Sequence, residues 1–170
     1  MLLNKLGDLQ FKNKQEKKAE EAYQRALYIL HWNLGPDDLL IADTLDRLAT
    51  CYRVLHKGSA LAGALFYRAL SIREKTLGPD HPRVADSLHN VGISLYFENG
   101  RLPLALPMFK RSLEIRQKAF GYDHPSVADS LSTMAFVYDL HNDRKKAIPL
   151  YEKALEIREK LLGPEAAEVL

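Results

Sequence analysis

Apolar side chains recur along this chain at helical spacing, in two alternating patterns. The first pattern places a small residue, an aromatic residue and two further small or apolar residues at steps of four, three and one. Its four copies are Ala19-Tyr23-Ala26-Leu27, Ala62-Phe66-Ala69-Leu70, Ala105-Phe109-Ser112-Leu113 and Ala147-Tyr151-Ala154-Leu155. Such steps bring all four side chains to one face of an α-helix. The pattern therefore predicts four amphipathic helices, which we call the B helices.

The second pattern precedes each copy of the first and is also helical. Its copies are Leu3-Leu6-Gly7-Gln10, Leu45-Leu48-Ala49-Tyr52, Leu88-Val91-Gly92-Leu95 and Leu131-Met134-Ala135-Tyr138. We call the helices that it predicts the A helices. The chain is thus read as a series of A–B helix pairs. The small residues on the facing stripes would let the two helices of a pair approach closely.

Whole segments repeat as well as single positions. The segment SIREKTLGPDHPRVADSL begins at Ser71, and EIRQKAFGYDHPSVADSL begins 43 residues later at Glu114. Related segments begin at Tyr28 and Glu156. A fixed period of this length is typical of a repeat array, in which each unit buries its apolar faces against its neighbours.

One glycine marks the same position in every unit, and the four are Gly35, Gly78, Gly121 and Gly163. Each B helix is predicted to end at this glycine, where a left-handed backbone costs least. We place the repeats at about 1–35, 36–78, 79–121 and 122–163, with residues 164–170 beginning a fifth A helix. The whole chain, 1–170, is treated as a single array.

Composition and charge limit the classes of function. The 170 residues carry 24 Lys plus Arg against 22 Asp plus Glu, a net charge of +2. Nucleic-acid binding usually needs a larger, clustered excess of positive charge, so we expect no nucleic-acid partner. No apolar run approaches the roughly 18 residues of a membrane span. The single cysteine excludes an internal disulfide, and we expect a cytoplasmic, or at least intracellular, protein.

Candidate chemistry is sparse, and we expect no enzyme, no cofactor and no metal site. His81 and His124 occupy one repeat position, 43 residues apart. A catalytic group is needed once per site and not once per repeat, so we assign both to the starts of helices. Cys51 is interpreted as a small buried side chain. The recurring acidic position holds Asp43, Asp86 and Asp129, which we expect to complement the dipoles of the A helices.

The alternation of small and large apolar residues resembles the tetratricopeptide repeat. The usual repeat of that family has about 34 residues, whereas this one has 42 to 43. The linker phrases LGPDHP and VADSL resemble the longer repeats of kinesin light chains and of nephrocystin. The resemblance implies an all-α fold, an α-solenoid with a right-handed superhelix of four stacked antiparallel helix pairs and a partial fifth A helix. It also implies a non-catalytic adaptor that binds a protein or peptide segment.

In that family the A helices line a concave groove, and we carry this over by position. The expected groove residues are Arg47, Thr50, Arg53, His89, Asn90, Ile93, Tyr96, Phe97, Thr133, Phe136 and Leu140. Asn90 matches a recurrent asparagine that can hold a peptide backbone. Phe136, with Ile93 and Tyr96, would serve as an apolar anchor, and Arg47 and Arg53 would orient an acidic group.

Two alternatives remain open at this point. The array could be a spacer or a self-association module that acts end to end through uncapped repeats. It could also be the sensor or regulatory tail of a larger enzyme. The sequence alone does not decide among the three.

Overall fold

The computed structural model describes residues 1–55, 60–99 and 102–162, which are helical apart from the connections between helices. Eight helices lie in these ranges: α1 Leu2–Lys12, α2 Glu16–Asn33, α3 Leu39–Leu55, α4 Ala60–Leu77, α5 Pro82–Asn99, α6 Leu102–Phe120, α7 Pro125–Leu140 and α8 Arg144–Leu162. The odd-numbered helices are the predicted A helices, and the even-numbered helices are the B helices. The expected start of a fifth A helix, 164–170, lies outside the described residues.

The two recurrent histidines begin A helices, as predicted. His124 is the N-cap of α7, and its Nδ1 accepts a hydrogen bond of 3.2 Å from the backbone N–H of Ser126. His81 Nδ1 accepts an equivalent bond of 3.1 Å from the N–H of Arg83. Each imidazole thus satisfies a backbone donor that has no partner within its own helix. The repetition of these histidines follows from helix capping.

The glycine ends of the B helices are confirmed at two positions and wrong at a third. Gly78 and Gly121 have φ of +87° and +84°, the left-handed conformation that glycine adopts without strain. Gly35 does not adopt positive φ. Helix α2 already ends at Asn33, and Leu34 leaves it in an extended conformation with φ −128° and ψ 160°. Because Leu34 breaks the helix, no left-handed residue is needed there.

Each helix packs against the next one along the chain, so the core runs continuously through the stack. The aromatic side chains at the shared repeat position of the first three B helices, Tyr23, Phe66 and Phe109, are buried, whereas Tyr151 of α8 is 40% exposed. Phe109 is buried under Gly92, where an added Cβ would lie 2.6 Å from the ring. Gly7 and Tyr23 repeat this arrangement in the first pair. The predicted all-α solenoid of stacked helix pairs is confirmed.

A buried arginine ties successive pairs together, which the sequence analysis did not foresee. Arg73 on α4 donates to Asp43 of α3 at 2.7 Å and to Ser87 of α5 at 2.5 Å. It also forms an ion pair with Asp46 at 2.5 Å. One guanidinium therefore joins both A helices that flank it. We call this arrangement the arginine clasp.

The arginine clasp recurs with the repeat. Arg116 on α6 donates to Asp86 at 2.7 Å and to Ser130 at 2.6 Å. Arg158 on α8 donates to Asp129 at 3.0 Å. The recurring aspartates were predicted only to complement helix dipoles. In the structure they are ion-pair partners of these arginines.

Candidate functional site

Neighbouring A helices contact one another directly, so their outer sides form one layer. Between α1 and α3, Asn4 Nδ2 donates to Thr44 Oγ1 at 2.8 Å. One turn further along, Arg47 Nε donates to Asp8 Oδ1 at 2.9 Å. Both bonds connect residues about 40 positions apart in the sequence. The first two A helices are therefore held side by side by side-chain contacts.

The layer continues through the remaining A helices. Arg83 of α5 forms an ion pair with Asp43 of α3. The ring of Tyr96, near the end of α5, meets the ring of His141, just after α7, with centroids 5.6 Å apart and an edge-to-face geometry. Four A helices thus lie in sequence order along one side of the described chain. This is the side on which the predicted site residues were placed.

An open pocket of about 240 Å³ lies where α1 meets α3. Its lining is Asp8, Phe11, Tyr23, Asp43, Asp46, Arg47, Thr50 and Arg73. The Tyr23 hydroxyl donates to Asp8 Oδ1 at 2.9 Å. Burial raises the pKa of Tyr23 well above its usual value, and the carboxylate of Asp8 raises it further. The phenol therefore stays protonated and keeps Asp8 in place beside Arg47.

The two predicted arginines lie in different environments. Arg47 pairs with Asp8 and also donates to the carbonyl of Asp43 at 2.9 Å. Arg53 is exposed and forms no ion pair with the described residues. Of the two, Arg53 is the one whose charge is available to a ligand.

His89 and Asn90 are half-buried on α5. The His89 ring lies edge-on to the buried Phe109, with centroids 5.8 Å apart. Burial, followed by the charge of Arg116, lowers the pKa of His89 to about 4. The imidazole is therefore neutral at pH 7 and faces the helix core more than the solvent.

Four further predicted residues also make contacts within the fold. Ile93 and Tyr96 pack against the buried cluster that contains Phe109. Thr50 and Thr133 each donate their hydroxyl to a carbonyl one turn earlier, at 2.8 and 2.9 Å. These side chains are half-buried, and their hydroxyls are already bonded within the helix.

Three of the predicted apolar residues are exposed. Phe97 is 54% exposed, Phe136 is 44% exposed and Leu140 is 52% exposed. Phe97 contacts Tyr96 edge-on, with ring centroids 5.3 Å apart, and Tyr96 in turn reaches His141. We call Tyr96, Phe97 and His141 the aromatic patch. It lies at the carboxyl ends of α5 and α7.

Sequence reasoning missed one member of this surface. His141 was not selected, because it follows α7 and its contact with Tyr96 depends on tertiary packing. Val54 occupies the repeat position of Phe97 and Leu140. It is 41% exposed. Three successive A helices thus expose an apolar side chain at one repeat position, which we call the apolar row.

Within residues 1–55, 60–99 and 102–162, no three His, Cys, Asp or Glu side chains are grouped to hold a metal ion. In the same ranges, no helix has the length and apolar character needed to cross a membrane. Cys51 is a buried free thiol that donates to the carbonyl of Glu16 at 3.1 Å. Burial raises its pKa to about 11, which leaves it a poor nucleophile.

Family models match three parts of the chain, and all three are described as tetratricopeptide repeat. The matched residues are 2–29, 62–83 and 93–160. Among curated protein sequences, none matches the chain significantly.

Solved structures with the same fold include BtubC (BKLC) from P. vanneervenii. The TM-score is 0.84 at 26% identity over 95% of this chain, which spans 63% of the length of that protein. The nearly identical TPR-like repeats assigned to a kinesin light chain of Podosopora anserina give a TM-score of 0.79 at 24% identity, covering 94% and 74% of the two chains. MamA gives a TM-score of 0.66 at 18% identity, and the match covers 94% of this chain and 78% of the MamA chain. The last two likenesses show the fold alone.

Proposed function

Since the chain is a tetratricopeptide repeat array, we propose that it is a non-catalytic adaptor that binds a segment of a protein partner across its A helices. Stacked repeats create extended surfaces that suit such segments. The observation that carries the proposal is the apolar row, in which Val54, Phe97 and Leu140 are all exposed on successive A helices. A segment that crosses the layer would meet one of them on each helix.

The exposed apolar side chains favour binding because they cost free energy while they face water. Scattered single apolar residues are normal at protein surfaces, but a group of them is typical of an interaction site. Aromatic side chains near the centre of an interface usually supply most of its affinity. Phe97 and Phe136 are therefore the proposed anchors, and Tyr96 supports Phe97 from one side.

Polar contacts would set the direction of the bound segment. The guanidinium of Arg53, one residue before Val54, suits a carboxylate of the partner. The Asn90 amide can donate to and accept from a peptide backbone. We therefore propose a partner segment with two or three apolar side chains and an acidic group. With a free buried thiol in the chain, we propose that it acts in the cytoplasm.

A peptide-library screen against the protein tests this proposal. Peptides enriched on the wild type should lose at least about tenfold in affinity with Phe136→Ala or Phe97→Ala. Asn90→Ala should weaken binding less. Tyr67 on α4 is a matched control, because it is also 44% exposed but lies on a B helix. Binding that is lost with Tyr67→Ala, and kept with both phenylalanine variants, would place the partner on the other side of the array.

A further inference from the structure

A second row of side chains runs beside the apolar row, one residue earlier on each A helix. Its members are Arg53 on α3, Tyr96 on α5 and Asp139 on α7, and we call it the charged row. Arg53 is exposed and has no ion-pair partner among the described residues. The side chain of Asp139 is 51% exposed, and its Oδ1 lies 3.8 Å from Arg144 Nε. The charged row is therefore positive at one end, aromatic in the middle and negative at the other end.

The aromatic patch lies at the centre of both rows. The ring of Tyr96 meets Phe97 at an interplanar angle of 84° and His141 at 69°. Tyr96 packs against the buried cluster that contains Phe109, which holds its ring in place. In the part of the chain that the structure describes, the Tyr96 hydroxyl makes no hydrogen bond and is not enclosed. The patch thus offers aromatic surface and an O–H group that is able to donate.

The distance between the A helices limits the conformation of a segment that crosses them. Helices that pack side by side lie about 8–10 Å apart, and α3, α5 and α7 each contribute one side chain to each row. A polyproline II helix brings every third residue to the same side, with a repeat of about 9.3 Å. On one face of a β-strand the side chains recur every 6.6 Å or about that distance. The polyproline II repeat matches the spacing of the helices, and the strand repeat does not.

An α-helix matches the two rows less closely. Its side chains return to one face after seven residues, about 10.5 Å along the axis, and they drift by about 20° at each return. Its carbonyl groups are bonded within the helix, so the Tyr96 hydroxyl would find no acceptor among them. A polyproline II helix has no internal hydrogen bonds, and its carbonyl groups are free to accept.

This inference rests on the proposed function and names the conformation of the bound segment. We propose that the two rows bind a proline-rich polyproline II helix of a protein partner. Apolar side chains three residues apart meet Val54, Phe97 and Leu140 in turn. Proline rings between them pack on the aromatic patch, as proline-rich segments do in other aromatic-lined grooves. The Tyr96 hydroxyl donates to a carbonyl of the segment.

The charged row determines which residues flank the apolar positions. Arg53 pairs with an acidic residue at one end of the segment, and Asp139 pairs with a basic residue at the other end. Arg144 competes for Asp139, but an ion pair of 3.8 Å between two exposed side chains is weak. A segment with the same charge at both ends would be repelled at one of them. The partner segment therefore carries opposite charges at its two ends.

Two dye-labelled peptides test the repeat of three residues. The peptide ELPPLPPLK has leucine at every third position and opposite charges at its ends. The peptide ELPPPLPPPLK is its matched control, because one more proline in each interval turns successive leucines to different sides of the same kind of helix. Fluorescence anisotropy with the whole protein measures both affinities. We expect ELPPLPPLK to bind at least about tenfold more tightly than the control.

Protein variants test the individual contacts. Phe97→Ala should weaken the binding of ELPPLPPLK at least about tenfold, and Tyr67→Ala on the B helix α4 should leave it unchanged. Tyr96→Phe keeps the ring and removes only the hydroxyl, so it should weaken binding about threefold. The wild type should bind KLPPLPPLK more weakly than ELPPLPPLK. Arg53→Glu should reverse this order, because both ends of the charged row are then negative.

The outcomes separate this inference from the proposed function. Equal binding of the two proline-rich peptides, binding of neither, or binding of ELPPLPPLK that Phe97→Ala leaves unchanged overturns the polyproline II segment. Tighter binding of the strand-forming ELTLTLK or of the helical LEAAAKKLEAAAKKL also overturns it. If peptides without proline from the library screen still lose affinity with Phe97→Ala, the proposed function stands and only the conformation is wrong. If no library peptide loses affinity with Phe97→Ala or Phe136→Ala, the proposed function fails as well.

Discussion

Arg73 should be the most costly arginine of the array to remove. Its side chain is only 5% exposed, and it neutralises Asp43 and Asp46, which are 28% and 20% exposed. Arg73→Met keeps most of the aliphatic packing but leaves Asp46 without its ion-pair partner, while Asp43 keeps its ion pair with Arg83. Removing one member of a buried ion pair usually costs 3–5 kcal/mol. Since the side chains of the two aspartates are partly exposed to solvent, we expect a loss of about 3 kcal/mol in the free energy of unfolding.

Arg158→Met is the matched control. Arg158 holds the same repeat position, but its side chain is 35% exposed and its partner Asp129 is 63% exposed. Exposed ion pairs contribute about 1 kcal/mol or less. Urea unfolding followed by far-ultraviolet circular dichroism measures both variants against the wild type. If both variants lose the same free energy of unfolding, the conclusion that the buried ion pairs of Arg73 stabilise the contact between repeats is refuted.

The pH dependence of the same variant gives a second check. Burial raises the pKa of Asp46, and the charge of Arg73 partly offsets this effect. Without Arg73 the pKa of Asp46 rises further, so the folded variant gains stability when the carboxyl is protonated. The loss caused by Arg73→Met should therefore be largest at pH 7 and should shrink as the pH falls through the carboxyl range. A loss that grows toward acid pH would contradict the reasoning.

Three further predictions concern single positions. Gly92→Ala should cost about 1–2 kcal/mol in unfolding free energy by urea, because its Cβ would collide with the Phe109 ring; Phe109→Leu in that background should recover part of the loss. Gly78→Ala should lower the free energy of unfolding by about 1–2 kcal/mol, because the φ of Gly78 is +87°. Gly35 has no positive φ and faces open space, so Gly35→Ala should change the free energy of unfolding by less than about 0.5 kcal/mol. Lastly, the pKa of His89 is about 4 in the folded state and about 6.5 in the unfolded state. Between these two pH values only the unfolded state binds the proton, so the free energy of unfolding falls as the pH falls from 6.5 to 4. The loss is about 3 kcal/mol at most, and His89→Gln should remove it in pH-dependent urea titrations.

The helix pairs were predictable because their signal is local. The spacing of Ala62, Phe66 and Ala69 is a property of one helix, and its return every 42 to 43 residues implies stacking. The arginine clasp was not predictable in the same way. Arg73 contacts residues 14 and 30 positions away on two different helices, and such distances in sequence carry no visible pattern without the fold.

The candidate site also depends on contacts that the sequence does not show. The repeat alignment placed the expected residues on the A helices, where they lie in the structure. It could not predict which of their side chains would be buried and which would be exposed to solvent. Ile93 and Phe136 occupy equivalent positions, yet Ile93 packs against the core while Phe136 is 44% exposed. Exposure depends on the size of the neighbouring side chains and on how closely adjacent helices approach, and a repeat alignment contains neither. The binding role of this surface stays a prediction.

Site-specific crosslinking tests the central claim most directly. A photoreactive phenylalanine analogue replaces Phe97 in one protein and Tyr67 in another, and each is irradiated with the tightest peptide from the library screen. Mass spectrometry then identifies the crosslinked species. The proposed function predicts a crosslink to the peptide from position 97 and none from position 67. A crosslink from position 67 alone would contradict it and move the binding site to the B helices.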